Sequence, residues 1–261
     1  MPSVTHEQTT TVGLANKVIS KFVKKIFISW PQSKMYFPRS KVIVSGNPLR
    51  KKIFIRSIQI CEKFKEELDK SKKTIYITGG KQGAHIINEA IKPNLSDFLN
   101  NFNLIHQCGR STLYGDYEVL RHVKDDLPER LKKRYILKDY IADEEIGSVF
   151  AICDLVVTRA GANIVYELAA LGKVAIFIPI PWLPYDEQTK NAQVLVGAGS
   201  AELLTQEDLN AEKLLGKINK VFADYERYKE AAEIAKGLVR LDAAEKIISE
   251  LEELFPKDPG S

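Results

Sequence analysis

Thr74-Ile75-Tyr76-Ile77-Thr78-Gly79-Gly80-Lys81-Gln82-Gly83-Ala84 is the stretch on which the fold turns. A short β-branched and aromatic run leads straight into a glycine-rich turn, and a helical pattern begins at Ala84. The unit then recurs. Strand-like runs over Asn103–Gln107, Tyr135–Leu137, Asp154–Val157, Val174–Ile178 and Ala201–Leu204 alternate with helical stretches near Glu118–Lys132, near Glu144–Ala151, through Leu171 and from about Glu187. Near-continuous apolar strands alternating with helices predict an α/β fold with a doubly wound, Rossmann-like parallel sheet.

Upstream, a helical stretch over about Ile53–Leu68 follows the breaker Gly46-Asn47-Pro48, which reads as a hinge. Residues 1–48 offer one amphipathic helix (Leu14–Lys25) and two β-type runs (Ile26–Ser29 and Val42–Ser45). That is too little for a core of its own. The chain thus divides into a remnant at 1–48, a complete domain at 49–240, and a C-terminal helix and tail at 241–261 packing back on the N-terminal part. Thr205-Gln206-Glu207-Asp208 resembles a capping box opening the last helices, Ala211–Phe222, Tyr225–Lys236 and Ala243–Leu254, and Pro256–Ser261 reads as frayed.

Composition narrows the setting. The chain has 261 residues, a formal charge of +4 and three cysteines outside any C-x-x-C spacing, which argues against a disulfide framework or a zinc site. No apolar run approaches the ~20 residues of a bilayer span, and no secretory leader stands at Met1, so the reading is cytoplasmic. The modest net charge conceals an asymmetry: residues 1–52 hold ten lysines and arginines against one acid, leaving 28 basic and 33 acidic residues elsewhere. Such a block suits an anionic partner, whether phospholipid, diphosphate or nucleic acid, or is simply a solvated helix face.

Ligands of an open parallel sheet bind beyond the carboxyl ends of its strands, and three loops there carry chemistry. Gly79–Ala84 joins strand to helix and is either a phosphate cradle or a tight structural turn; it matches neither the Walker A nor the G-x-G-x-x-G pattern. Thr158-Arg159-Ala160-Gly161-Ala162-Asn163 is a second helix start, with Glu167 further along; that carboxylate suits a vicinal diol such as ribose or merely faces solvent. The third, Pro179–Gln188, leads into a helix on which Gln188 and Asn191 stand at i and i+3. Their amides either hydrogen-bond sugar hydroxyls or are ordinary surface residues.

Together, Gly79-Gly80-x-Gln82-Gly83-Ala84, Arg159-Ala160-Gly161-Ala162 with Glu167, and Pro179–Ala192 with Asp186-x-Gln188-x-x-Asn191-Ala192 resemble the donor-binding domain of the MurG family. These are bacterial UDP-N-acetylglucosamine:lipid I N-acetylglucosaminyltransferases of peptidoglycan synthesis, with the two-domain GT-B fold. His6-Glu7-Gln8, Gly13-Leu14-Ala15-Asn16 and Gly46-Asn47-Pro48-Leu49-Arg50 follow the same order, so the resemblance spans essentially the whole chain.

The resemblance implies an inverting hexosyltransferase that moves N-acetylglucosamine from UDP-GlcNAc to lipid I, forming lipid II. Arg50 and the turn containing Gly80, Lys81, Gln82 and Gly83 would face the diphosphate. Glu167 would hold the ribose, with Arg159, Gly161, Ala162 and Asn163 around the nucleotide, and Glu187, Gln188 and Asn191 on the sugar. For a catalytic base only His6, with Glu7 beside it, stands in a suggestive place, and a hydrogen-bonded linker histidine is the alternative. No Asp-x-Asp motif occurs, so no metal and no cofactor is expected.

Three departures stand out. Lys81 replaces the family's usual serine, which either adds a positive contact to the diphosphate or projects into solvent. Thr9 replaces asparagine after His-Glu-Gln, on the acceptor side. The family's N-terminal half, with its glycine-rich loop, has no counterpart, so 1–48 reads as the acceptor-side remnant, and a separate N-terminal half chain is an expected partner. The others are UDP-GlcNAc, the lipid-linked acceptor and the anionic inner face of the cell membrane, where the protein would sit peripherally; no nucleic acid is expected. The rival readings are another UDP-sugar transferase acting on a lipid, and a non-catalytic nucleotide-sugar binding fragment.

Overall fold

The computed structural model describes residues 3–254; the expected fraying of Pro256–Ser261 lies outside the described residues. Among the described residues nine strands form two all-parallel sheets. The smaller has the order β1-β2-β3 (Val4–Glu7, Lys25–Ile28, Val42–Val44). The larger comprises β4 (Thr74–Thr78), β5 (Asn103–Gln107), β6 (Tyr135–Lys138), β7 (Leu155–Thr158), β8 (Val174–Phe177) and β9 (Ala201–Leu203), in the order β6-β5-β4-β7-β8-β9. From β4 the chain winds outward one way through β5 and β6. It then returns to β7 beside β4 and winds the other way, which places the switch point between β4 and β7.

Alternation along the strands divides the core. Ile75, Ile77, Leu104, Leu155, Val157 and Ile176 pack under the helices of one face. Tyr76, Ile105, Ile136, Val156, Ala175 and Phe177 pack under those of the other. This double burial is why the strands read as continuous apolar runs.

The N-terminal segment departs from its reading. It has a third strand, β1, whose Val-Thr-His-Glu sequence carries no apolar run and is held by parallel pairing from Val4↔Lys25 to Glu7↔Ile28. The helix expected over Leu14–Lys25 stops at Ile19, because Lys25 already belongs to β2. Elsewhere, the stretch expected as one helix near Glu118–Lys132 is two, Asp116–Asp125 and Glu129–Lys132, parted where Pro128 disfavours helical geometry at Leu127. The helix starting at Ala211 is capped by Asn210, whose Oδ1 accepts from Lys213 N at 2.9 Å. Thr205–Asp208 only forms a local turn ahead of it, Thr205 Oγ1 accepting from Asp208 N at 3.2 Å.

Several contacts bind the small sheet to the rest. Trp30 packs edge-on against Tyr166, with ring centroids 5.0 Å apart. Gly46 takes φ +83°, and a Cβ there would lie 2.5 Å from the Tyr166 hydroxyl. The final helix, Ala243–Leu254, returns to β2, where Lys25 Nζ meets Glu250 at 2.6 Å and Glu253 at 3.0 Å. Among the described residues no helix is long and apolar enough to cross a membrane.

His106, fully buried on β5, hydrogen-bonds Tyr135 Oη at 2.9 Å and Asn88 Oδ1 at 3.0 Å. Burial pushes its imidazole down to about 4, whereas a histidine in the unfolded chain titrates near ~6.5. As pH falls through that interval the unfolded state takes up a proton that the folded state refuses, so stability present above ~6.5 drains away towards ~4, by up to roughly 3 kcal/mol. His106→Gln removes this component. Urea unfolding at a series of pH values should show the wild-type curve dropping more steeply than the variant's between those limits; parallel curves would exclude the effect.

Candidate functional site

A cleft of about 720 Å³ opens at the carboxyl ends of β4 and β7, at the switch point, and is closed on one side by Gln8, Thr9, Asn47 and Arg50 from the N-terminal segment. The glycine turn after β4 and the start of the helix Ala162–Leu171 face it. The turn after β4 keeps its shape through glycines of different necessity. A Cβ on Gly79 would lie 2.1 Å from Ala84 N, and one on Gly83 2.0 Å from Cys108 O, so the fold itself demands both. Gly161, which precedes the helix Ala162–Leu171, is different: its φ of −64° suits any residue and a Cβ there would meet nothing within 4 Å. Neither backbone nor packing calls for glycine at that position. The space a side chain would fill belongs to the cleft, beside the first free N–H groups of a helix with no side-chain cap.

Glu167 lies on that helix, 4% exposed, at the cleft wall. Arg50 grips it with a two-point fork, Nε to Oε1 at 2.7 Å and Nη2 to Oε2 at 2.9 Å, while Asp143 stands 3.7 Å from Nη1. Each carboxylate oxygen retains acceptor capacity beyond the arginine bond. Arg50, expected to face the diphosphate together with the glycine turn, lines the cleft with its guanidinium turned onto Glu167. Arg159 is likewise engaged: Nη1 donates to Ile178 O at 3.0 Å and to Gln206 Oε1 at 2.9 Å, stapling the end of β7 to that of β8. Burial lowers the Arg159 guanidinium below its ordinary range. Lys81 is the exception among cations lining the cleft: it is exposed, and its ammonium has neither an ion pair nor a hydrogen bond among the described residues.

The third loop resolves into separate roles. Gln188 is buried, its Oε1 accepting from Ala160 N at 3.2 Å and Ile180 N at 3.1 Å, which leaves its Nε2 as the donor towards the cleft it lines. Asn191 does not line the cleft. Its Oδ1 accepts from Thr10 N and Thr10 Oγ1, both at 3.1 Å, and its Nδ2 donates to Ala160 O at 3.3 Å, so it ties the N-terminal segment to the sheet. The sugar contact expected of Asn191 is therefore corrected: its one helical turn of offset from Gln188 points it into that interface. Glu187 lines the cleft with its carboxylic acid raised by partial burial and by the nearby charge of Glu7.

The two base candidates also lie elsewhere. His6 Nε2 bonds Gly46 O at 3.0 Å and Ser29 Oγ at 3.3 Å, and burial lowers its imidazole. Glu7 is buried and accepts four bonds, from Thr9 N, Thr9 Oγ1, Gly13 N and Asn16 Nδ2. Neither lines the cleft: His6 bonds the hinge at Gly46, and Glu7 holds the loop that follows it. Gly80, Gly161, Ala162 and Asn163 do line it, Asn163 accepting from Asn47 Nδ2 at 2.9 Å; Gln82 and Gly83 stand behind. Sequence reasoning missed Thr78, Tyr76, Gln107 and Ile141, all in the wall. For Gln107 the available signal was an amide at the carboxyl end of a strand.

Comparison with known proteins follows the same lines. Residues 74–248 match the glycosyltransferase family 28 C-terminal domain. The UDP-N-acetylglucosamine–N-acetylmuramyl-(pentapeptide) pyrophosphoryl-undecaprenol N-acetylglucosamine transferase of Thermodesulfovibrio yellowstonii is 35% identical over 98% of this chain and 68% of its own length. Its namesake in Geobacter metallireducens is 32% identical over 96% of this chain and 66% of its own length. The chain thus spans about two thirds of these relatives. Among solved structures, Acinetobacter baumannii MurG superposes with a TM-score of 0.73 at 25% identity, covering 97% of this chain and 67% of that one. A UDP-GlcNAc 2-epimerase from Neisseria meningitidis, at TM-score 0.69, 16% identity and coverage of 97% and 70%, shares the fold. With two thirds of its length matched by the family domain and a relative above 30% identity covering nearly all of it, the chain belongs to the MurG family of glycosyltransferases.

Proposed function

We propose that the cleft binds UDP-GlcNAc and that this chain supplies the donor side of an inverting transfer of N-acetylglucosamine to lipid I, giving lipid II. The observation that carries the reading is the pairing, in one cleft, of a helix start opened by Gly161 with a buried carboxylate, Glu167, held ready by Arg50. A helix start receives phosphate, and a fixed carboxylate receives the two hydroxyls of a ribose. Gln188 Nε2 and Glu187, both in the cleft lining, offer sugar hydroxyls a donor and an acceptor.

An inverting displacement needs the acceptor hydroxyl deprotonated as it attacks C1 while the C1–O bond to UDP breaks, and the departing diphosphate needs neutralising. Lys81 and the N–H groups at Ala162–Ile164 serve the second need. The first falls to a group other than His6 or Glu7, since both are engaged within the N-terminal segment. An acceptor-side half, on the same polypeptide or on a partner chain, completes the site in this reading. The exposed face around Leu14 would seat the protein on the inner membrane surface that carries the acceptor.

Calorimetry separates this from a transferase for another sugar. UDP-GlcNAc should bind at least tenfold more tightly than UDP-glucose or UDP-galactose, and Lys81→Met should weaken UDP several-fold while flattening its dependence on salt. Equal affinity for the three donors would favour the rival transferase. A fragment with no catalytic role predicts binding and no turnover even when candidate N-terminal halves are added.

A further inference from the structure

Gln107 closes β5 at the cleft wall, 5% exposed, and both ends of its amide are in use. Its Nε2 donates to Gly80 O at 2.8 Å and to Thr78 Oγ1 at 3.2 Å. Its Oε1 accepts from Ile141 N at 2.9 Å and from Tyr76 Oη at 3.3 Å. Thr78 Oγ1 in turn accepts from Gly80 N at 3.0 Å. The peptides on either side of Gly80 are therefore both held by side chains from the ends of two neighbouring strands, and the Gly80 carbonyl also accepts from Gly83 N at 3.1 Å within the turn.

Packing does not impose the conformation they hold. Gly80 sits at φ +85°, and a Cβ there would meet nothing within 4 Å, so the hydrogen bonds are what select this turn. Every peptide among the described residues is trans. A Gly80 carbonyl aimed at Gln107 consequently sends the Lys81 N–H the opposite way. Neither that N–H nor the one on Gln82 has an acceptor among the described residues. Successive free N–H groups in a turn make a concave seat for an anion.

We propose that Gln107 is a positioning residue for the nucleotide diphosphate: with Thr78 it fixes the Gly80–Lys81 peptide so that the Lys81 N–H, next to the Lys81 ammonium, receives a phosphate oxygen. This rests on the donor reading above and adds to it the device that orients the turn. A brace acting only on overall stability would affect every ligand alike, whereas this one acts on phosphate alone.

The test compares UDP with uridine, which lacks the phosphates, by calorimetry on the full chain. Thr78→Val and Gln107→Met are neutral and of similar size, so neither adds a repelling charge. Each should lower the ratio of UDP to uridine affinity about tenfold, uridine itself staying within about twofold, and the double variant should go no further than the stronger single change. Melting curves establish folding; where Gln107→Met fails to fold, Thr78→Val decides. Folded variants with the wild-type ratio, even if less stable, overturn the role of Gln107 alone. A wild type that binds neither ligand overturns the donor reading and this inference with it.

Discussion

Glu167→Gln should lower affinity for uridine and UDP alike by about 100-fold. The substitution preserves shape but removes the charge that makes the bonds to a diol strong, and two charge-assisted hydrogen bonds weakened together amount to roughly 2–3 kcal/mol. It also leaves Arg50 without the partner it grips at 2.7 and 2.9 Å. Arg50→Ala works differently. It strands a buried carboxylate whose neutraliser has gone, at a stability cost of about 2 kcal/mol, held below the figure for a fully buried pair because the Arg50 side chain is half exposed. The double variant should recover much of that stability and none of the binding, because the two residues act as one unit. Chemical denaturation and calorimetry on the three proteins read both quantities, and uridine affinity unchanged in Glu167→Gln would refute the ribose assignment.

How the sequence led to this cleft, and where it could not, follows from what each signal encodes. The doubly wound sheet was legible because β4, β7 and β8 are buried on both faces, so their central residues are apolar without alternation. The glycine turn was legible because close backbone approach at Gly79 and Gly83 leaves no room for a side chain. β1 was not, since Val4-Thr5-His6-Glu7 owes its extended form to pairing with β2 and not to its own composition. Amides and guanidinia are where local reading stops. Spacing placed Gln188 and Asn191 on one helical face, yet that face meets the cleft at the first and Thr10 at the second. Arg50 and Arg159 both line the cleft, but their partners, Glu167 and the carbonyl ends of β8, are more than a hundred and about twenty residues away along the chain. Only the tertiary fold decides which acceptor a long cationic side chain meets.

The same distinction sharpens the membrane reading of the basic N-terminal block. The helix Leu14–Ile19 buries none of its residues, and Leu14, Val18 and Phe22 are 66%, 52% and 78% exposed. Lys17, Lys21 and Lys24 are exposed around them without a carboxylate partner among the described residues, whereas Lys25 belongs to the clasp with Glu250 and Glu253. Apolar side chains ringed by free cations suit the interface of an anionic bilayer, where each lysine contributes about 1 kcal/mol. Replacing Lys17, Lys21 and Lys24 by glutamine should therefore weaken binding to phosphatidylglycerol-containing vesicles by about 3 kcal/mol, more than 100-fold at low salt, and leave binding to neutral vesicles as it was. Phe22→Ser should weaken both. Lys25→Gln should leave vesicle binding intact and lower the melting temperature instead, because its charge faces the last helix and not the solvent. A triple variant that sediments with anionic vesicles as the wild type does would remove the membrane from this face, and with it the argument that the cleft is brought to its acceptor by the N-terminal segment.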